Sequence, residues 1–116
     1  MGRLSQHFHL NHLLVGLIVD PQIGRLENLV KRLIKVQRPN GAFEVTVAEE
    51  NDGPVLHCAF ERADDADKFA TAVHATLIGR YQGWVSQREF VLNAPLAKTM
   101  RVALLGSGAD DLQELS

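Results

Sequence analysis

Imidazoles and a lone thiol are the side chains of this sequence best suited to chemistry near neutral pH. Three of the five histidines, His7, His9 and His12, fall within six residues. A zinc ion needs its ligands to converge on one point at about 2 Å. On a strand His7 and His9 share a face while His12 points away; on a helix His9 and His12 share one and His7 does not. Neither arrangement gathers all three, and no carboxylate follows before Asp20. His7 and His9 stand as metal candidates against the plainer reading of a solvated N-terminal arm. No metal or other cofactor is expected.

His57 precedes Cys58, the one cysteine. Neighbours on a strand point to opposite faces, so the two cannot act on each other as base and nucleophile. Cys58 reads as a small core residue and His74 as the flank of a helix. His57 remains the one candidate acid–base group, and no catalytic set is assigned. Paired carboxylates offer nothing better. Glu49, Glu50 and Asp52 sit in a polar turn, and Asp64, Asp65 and Asp67 open a helix. Both settings favour the charged carboxylate over the raised pKa that acid catalysis needs. Phosphate-binding loops, dinucleotide fingerprints and nucleophile elbows are missing from the sequence.

A third set of residues is basic. Lys31, Lys35 and Arg38 follow each other at steps of four and three, with Arg25 and Arg32 nearby and Glu27 the one acid in that segment. Such a stripe can contact phosphates. It lacks interleaved aromatics, and cations near a helix C-terminus also stabilise the helix. The whole-chain charge of −2 does not draw the entire surface to nucleic acid or to an anionic membrane.

These residues need elements to hold them. The 116 residues, 46% hydrophobic and 22% charged, suit one globular domain. One cysteine excludes an internal disulfide and favours a reducing, cytoplasmic setting. The apolar run Leu13 to Val19 is far shorter than the ~20 residues that cross a bilayer, and no export signal is read.

That run, apolar on both faces, predicts a covered strand. Leu10, Leu13, Leu14 and Leu17 also fit a helix, but Gly16 disfavours one. Asp20 as cap and Pro21 as first residue predict a helix. Its stripe is Ile23, Leu26, Leu29, Val30, Leu33 and Ile34, and it ends before Pro39. Phe43 to Val47 alternates with period two, Asp52-Gly53 turns the chain, and Val55 to Phe60 returns: a hairpin. Asp64 opens a second helix, with Asp67 as a capping partner. Ala66, Phe69, Ala70, Val73 and Leu77 form its buried stripe, and Gly79 closes it. Trp84 to Leu92 predicts the last strand. Leu96 to Leu105 fits a short helix or an edge strand equally, and 106–116 reads as a flexible acidic tail.

The order strand–helix–strand–strand–helix–strand predicts one domain over residues 7–105. It is an α+β, ferredoxin-like βαββαβ two-layer sandwich with an antiparallel four-stranded sheet in the order 4-1-3-2 and both helices on one face. The other face then needs covering. Trp84, Arg88 and Phe90, expected to share it, are candidate anchors, because aromatic and arginine side chains dominate interface energetics. The leading expectation is a small non-catalytic association or regulatory module that self-associates as a homodimer through that face, or binds another protein there. A small enzyme or ligand-binding protein with a cleft near His57 is the alternative. Nucleic-acid binding through Lys31, Lys35 and Arg38 is the third reading.

Overall fold

A computed structural model describes residues 10–20 and 22–106. His7 and His9, Pro21 and the tail beyond Gly106 lie outside the described residues. The elements in chain order are β1 (His12–Ile18), α1 (Ile23–Val36), β2 (Phe43–Glu50) and β3 (Gly53–Phe60). There follow α2 (Ala63–Ala72), β4 (Thr76–Leu77), β5 (Ser86–Leu92) and α3 (Ala94–Gly106). None of the helices among the described residues is long and apolar enough to cross a membrane.

The sheet corrects the ferredoxin-like expectation. It has five strands in the order β2-β3-β1-β5-β4, and it is mixed: β1 runs antiparallel to β3 but parallel to β5. The β2-β3-β1 portion is arranged as the sequence predicts. The departure begins after α2, which stops at Ala72 rather than running to Gly79. Val73 caps it and His74 takes the left-handed conformation at φ 57°. Leu77, predicted on the buried helix stripe, instead belongs to β4 and is 74% exposed. The two-residue β4 runs in the direction expected of the fourth strand. The chain then reverses through residues 78–85, and β5 returns between β1 and β4. A fourth strand that turns back on itself must lie parallel to β1.

Two further boundaries move. Gln22, not Asp20, caps α1, with no side-chain hydrogen bond. The α2 cap is Arg62, and Asp64 pairs with it at 3.0 Å instead of forming a capping box with Asp67. The ambiguous segment after Pro95 is helical. Asn93 Oδ1 accepts the Leu96 amide at 2.9 Å, as a cap does.

All three helices cover one face. Leu14, Val45, Leu56, Cys58, Phe60, Phe90 and Leu92 pack there against α1, α2 and α3. Gly16 makes this packing possible on the central strand. A Cβ there would come within 2.8 Å of Phe90 Cζ and 2.9 Å of Leu92 Cδ1. The glycine that argues against a helix in the sequence is thus the gap into which the neighbouring strand's side chains settle. Burying side chains of this size contributes about 1.5–3 kcal/mol each, which makes this layer the main source of stability.

Candidate functional site

The helix-free face is not bare. Along β1 the residues pointing there are Leu13, Val15 and Leu17, all apolar. Leu13, Val15 and Val55 are buried beneath Tyr81 and Trp84. Residues 78–85 form a strap over them. At its start Ile78 N donates to Gln87 O at 2.9 Å, extending the β4–β5 ladder. Tyr81 N donates to Gln87 Oε1 at 2.7 Å. The tyrosine then reaches across β1 and β3, so that its hydroxyl donates to Glu50 Oε1 on β2 at 2.8 Å. Val85 N donates to Asn11 O at 2.8 Å and ties the strap to the start of β1.

Under the strap lie the polar groups with chemical potential. His57 meets the edge of the Tyr81 ring at a centroid distance of 5.6 Å. Its Nε2 is sealed from water, and Glu50 Oε2 lies 3.5 Å away, longer than a normal hydrogen bond. Arg80 pairs with Glu89 on β5 and stands over the Tyr81 ring at 6.0 Å. Burial, then the hydrogen bond to Glu50, pushes the Tyr81 hydroxyl pKa upward from 10.0. A cleft of about 350 Å³ opens beside the strap, lined in part by Leu17, Val55, Asp52, Arg80 and Glu89. His57 does not line it. Acid–base work would require a substrate to reach the imidazole tip, and Glu50 and Tyr81 enclose that tip. The trio is built as a clasp that closes the strap.

Removing one hydroxyl tests the clasp. Tyr81→Phe is expected to lower stability at pH 7 by about 1 kcal/mol, the usual net worth of one such bond, read from urea unfolding. The raised phenol pKa adds a pH signature. A group that holds its proton more tightly when folded contributes stability below the unfolded pKa, and that contribution is lost as pH rises through the folded value. The wild type should therefore lose more stability above about pH 10 than Tyr81→Phe does. Parallel alkaline profiles would contradict the contact.

The other sequence candidates are dispersed. Arg88 and Phe90 do not share the helix-free face. Phe90 is buried on the helix side against Phe69, and Arg88 pairs with Asp67 of α2 at 2.7 Å. The strand begins at Ser86, so its alternation does not extend back to Trp84, which packs from the strap. Neither Arg88 nor Phe90 is available as an anchor on that face. Lys35 and Arg38 are exposed, and Lys31 pairs with Glu27 at 3.3 Å. Cys58 is fully buried on the helix side, and burial pushes its thiol pKa far up, which keeps it protonated and inert. His12 Nδ1 lies 3.0 Å from Ser86 Oγ. Among the described residues no group of three or more His, Cys, Asp or Glu side chains could hold a metal ion.

Glu50 and Tyr81 are the two site residues sequence reasoning missed. The aromatic in a Gly- and Arg-containing loop was the available signal, but nothing local indicates that the loop crosses the sheet. No protein-family model, no curated protein and no solved structure matches the chain.

Proposed function

We propose that the protein is a small association module that forms a homodimer by joining the outer edges of β2 from two copies. The unguarded edge of β2 carries this reading. Its eight residues pair with β3 in unbroken register from Phe43↔Phe60 to Glu50↔Gly53, and among the described residues nothing pairs with its other side. Edge strands are normally shortened, bulged, or blocked by Pro or Lys, to prevent such pairing. β2 has no Pro or Lys and no break in its register, and its charges, Glu44, Glu49 and Glu50, lie to either side of the uncharged stretch Val45 to Ala48, whereas the opposite edge strand, β4, is only two residues long. The strap leaves the helix-free face less suited to this role than the edge.

Charge and register favour an alignment centred on Thr46 over one centred on Val47. Two copies related by a two-fold axis normal to the sheet keep their faces matched only if the paired residue numbers sum to an even number. With Thr46 opposite itself, Glu44 meets Ala48, Val45 meets Val47, and Phe43 meets Glu49. Centring on Val47 would place Glu44 against Glu50 and Val45 against Glu49. The Thr46 alignment avoids that like-charge pair and covers the half-exposed Val47.

Light scattering at tens of micromolar should give the mass of two chains. Val47→Lys places a charge on the edge and should weaken the dimer about tenfold or more, a cost of about 1.4 kcal/mol, without changing the monomer's melting. Thr46→Cys should cross-link two chains under mild oxidation, because facing residues on antiparallel strands sit within disulfide reach. A monomeric wild type sinks the proposal; a dimer that ignores both variants moves the interface elsewhere.

A further inference from the structure

The molecule's charges are divided unevenly among its helices. Residues 23–38 and 94–106, which comprise α1 with its C-terminal turn and α3, hold seven of the twelve Lys and Arg residues and one of the fourteen Asp and Glu residues, Glu27. The rest of the chain holds five and thirteen. A chain of net −2 therefore carries +6 on α1 with its turn and α3, whereas α2 of the same layer holds Asp64, Asp65 and Asp67 against Lys68. The sequence shows only half of this, because α3 is not identifiable as a helix until it packs along α1. That packing brings Lys98 and Arg101 into the same layer as Arg25, Lys31 and Lys35.

We propose that the α1–α3 layer binds the phosphate backbone of a nucleic-acid duplex without reading its sequence. The cations are spread along a helix about 21 Å long, which suits an extended polyanion better than a small anion. The one cleft described above lies elsewhere and contains Asp52 and Glu89. A membrane surface would call for apolar residues beside the cations. Among the described side chains of α1 the exposed positions are Gly24, Arg25, Asn28 and Lys35, none apolar, and the exposed Val102 and Leu105 of α3 are two side chains rather than the continuous apolar face that such binding needs. The layer has no exposed aromatic to stack on bases, so its contacts are positional and electrostatic rather than sequence-reading. The site needs only one copy of the chain, so it stands or falls separately from the β2 pairing.

Fluorescence anisotropy with a labelled 20-base-pair duplex, using the full chain, tests this. If about four phosphates are neutralised, affinity should fall roughly 100-fold between 50 and 200 mM salt, with a log–log slope near −3.6. Lys35→Glu with Lys98→Glu, two exposed positions, should abolish binding at 50 mM salt while leaving the melting temperature unchanged. Arg62→Gln, on the acidic side, should bind as the wild type does. Three results would overturn the proposal: no binding at tens of micromolar protein in 50 mM salt; binding unaffected by the double reversal; or equally tight binding to polyglutamate of matched charge, which would assign the layer to an acidic protein.

Discussion

Phe69→Ala is expected to lower the unfolding free energy by about 3–5 kcal/mol, the largest loss from any single substitution considered for this chain. Phe69 is fully buried on α2. It packs against Phe60 of β3 at 5.9 Å and edge-on to Phe90 of β5 at 5.7 Å. It therefore joins a ten-residue helix to two strands that flank β1 on either side. Truncation removes the transfer energy of the ring and leaves a cavity lined by two further rings, which cannot collapse inward without tilting both. A domain of this size has a total stability of about 5–15 kcal/mol, so the variant should approach its folding threshold. Urea unfolding followed by far-ultraviolet dichroism reads the change in midpoint at constant slope. Phe69→Leu, which retains most of the volume, should recover more than half of the loss. A cost below about 1 kcal/mol for the alanine variant would show that α2 does not key the sheet in this way.

Asp65→Ala should follow, at about 2–4 kcal/mol, through a polar mechanism. Asp65 is the buried charged residue of the described core, 3% exposed. Its Oδ1 accepts the Asn40 amide at 3.0 Å and its Oδ2 the Gly41 amide at 2.9 Å, while Glu61 Oε1 accepts Ala42 N at 2.8 Å. Three successive amides of the α1–β2 loop are thus held by two carboxylates from the α2 end. A hydrogen bond to a charged acceptor is worth about 1.5–3 kcal/mol, and the two part-buried amides lose that partner together. Gly41 belongs to the same arrangement, because a Cβ there would come within 2.8 Å of Glu61 Oε1. Asp65→Asn keeps one good acceptor and should lose about half as much. Hydrogen exchange at the Asn40 and Gly41 amides gives the site-specific readout. If those amides exchange no faster in Asp65→Ala, they are protected by something other than this carboxylate. Asp65 and Phe69 are one helical turn apart, so their losses should not simply add.

Most local structure was legible because it is written in burial period. β1 reads as a covered strand, and the register shows it between β3 and β5 with both faces packed. The α1 stripe from Leu26 to Ile34 and the α2 stripe Ala66, Phe69, Ala70 and Val73 are the buried faces the spacing predicts. The hairpin turns where Asp52-Gly53 suggests, with Gly53 at φ 117°. The last strand's direction was not legible. Two residues of β4 carry no pattern, and the strap's composition reads as an ordinary loop, so Trp84 looked like the beginning of a strand that starts at Ser86. The same gap reaches the site: in the sequence Arg88 and Phe90 read as facing away from the helices, whereas they contact Asp67 and Phe69 of α2, and nothing local singles out Glu50 and Tyr81. Asp65 reads in the sequence as a charged carboxylate at a helix start, and its loop partners lie 24 and 25 residues away in sequence.

By itself the sequence determined which segments are helix or strand in the first two-thirds of the chain, which of their faces are apolar, and that Cys58 and His57 point apart. Those properties follow from side-chain periods within a single element. Strand direction at β5, the helical state of α3, the strap across the helix-free face and the assembly of a basic layer from two helices were decided only in the tertiary structure. Each depends on which distant segment supplies the missing partner, and no local period records that.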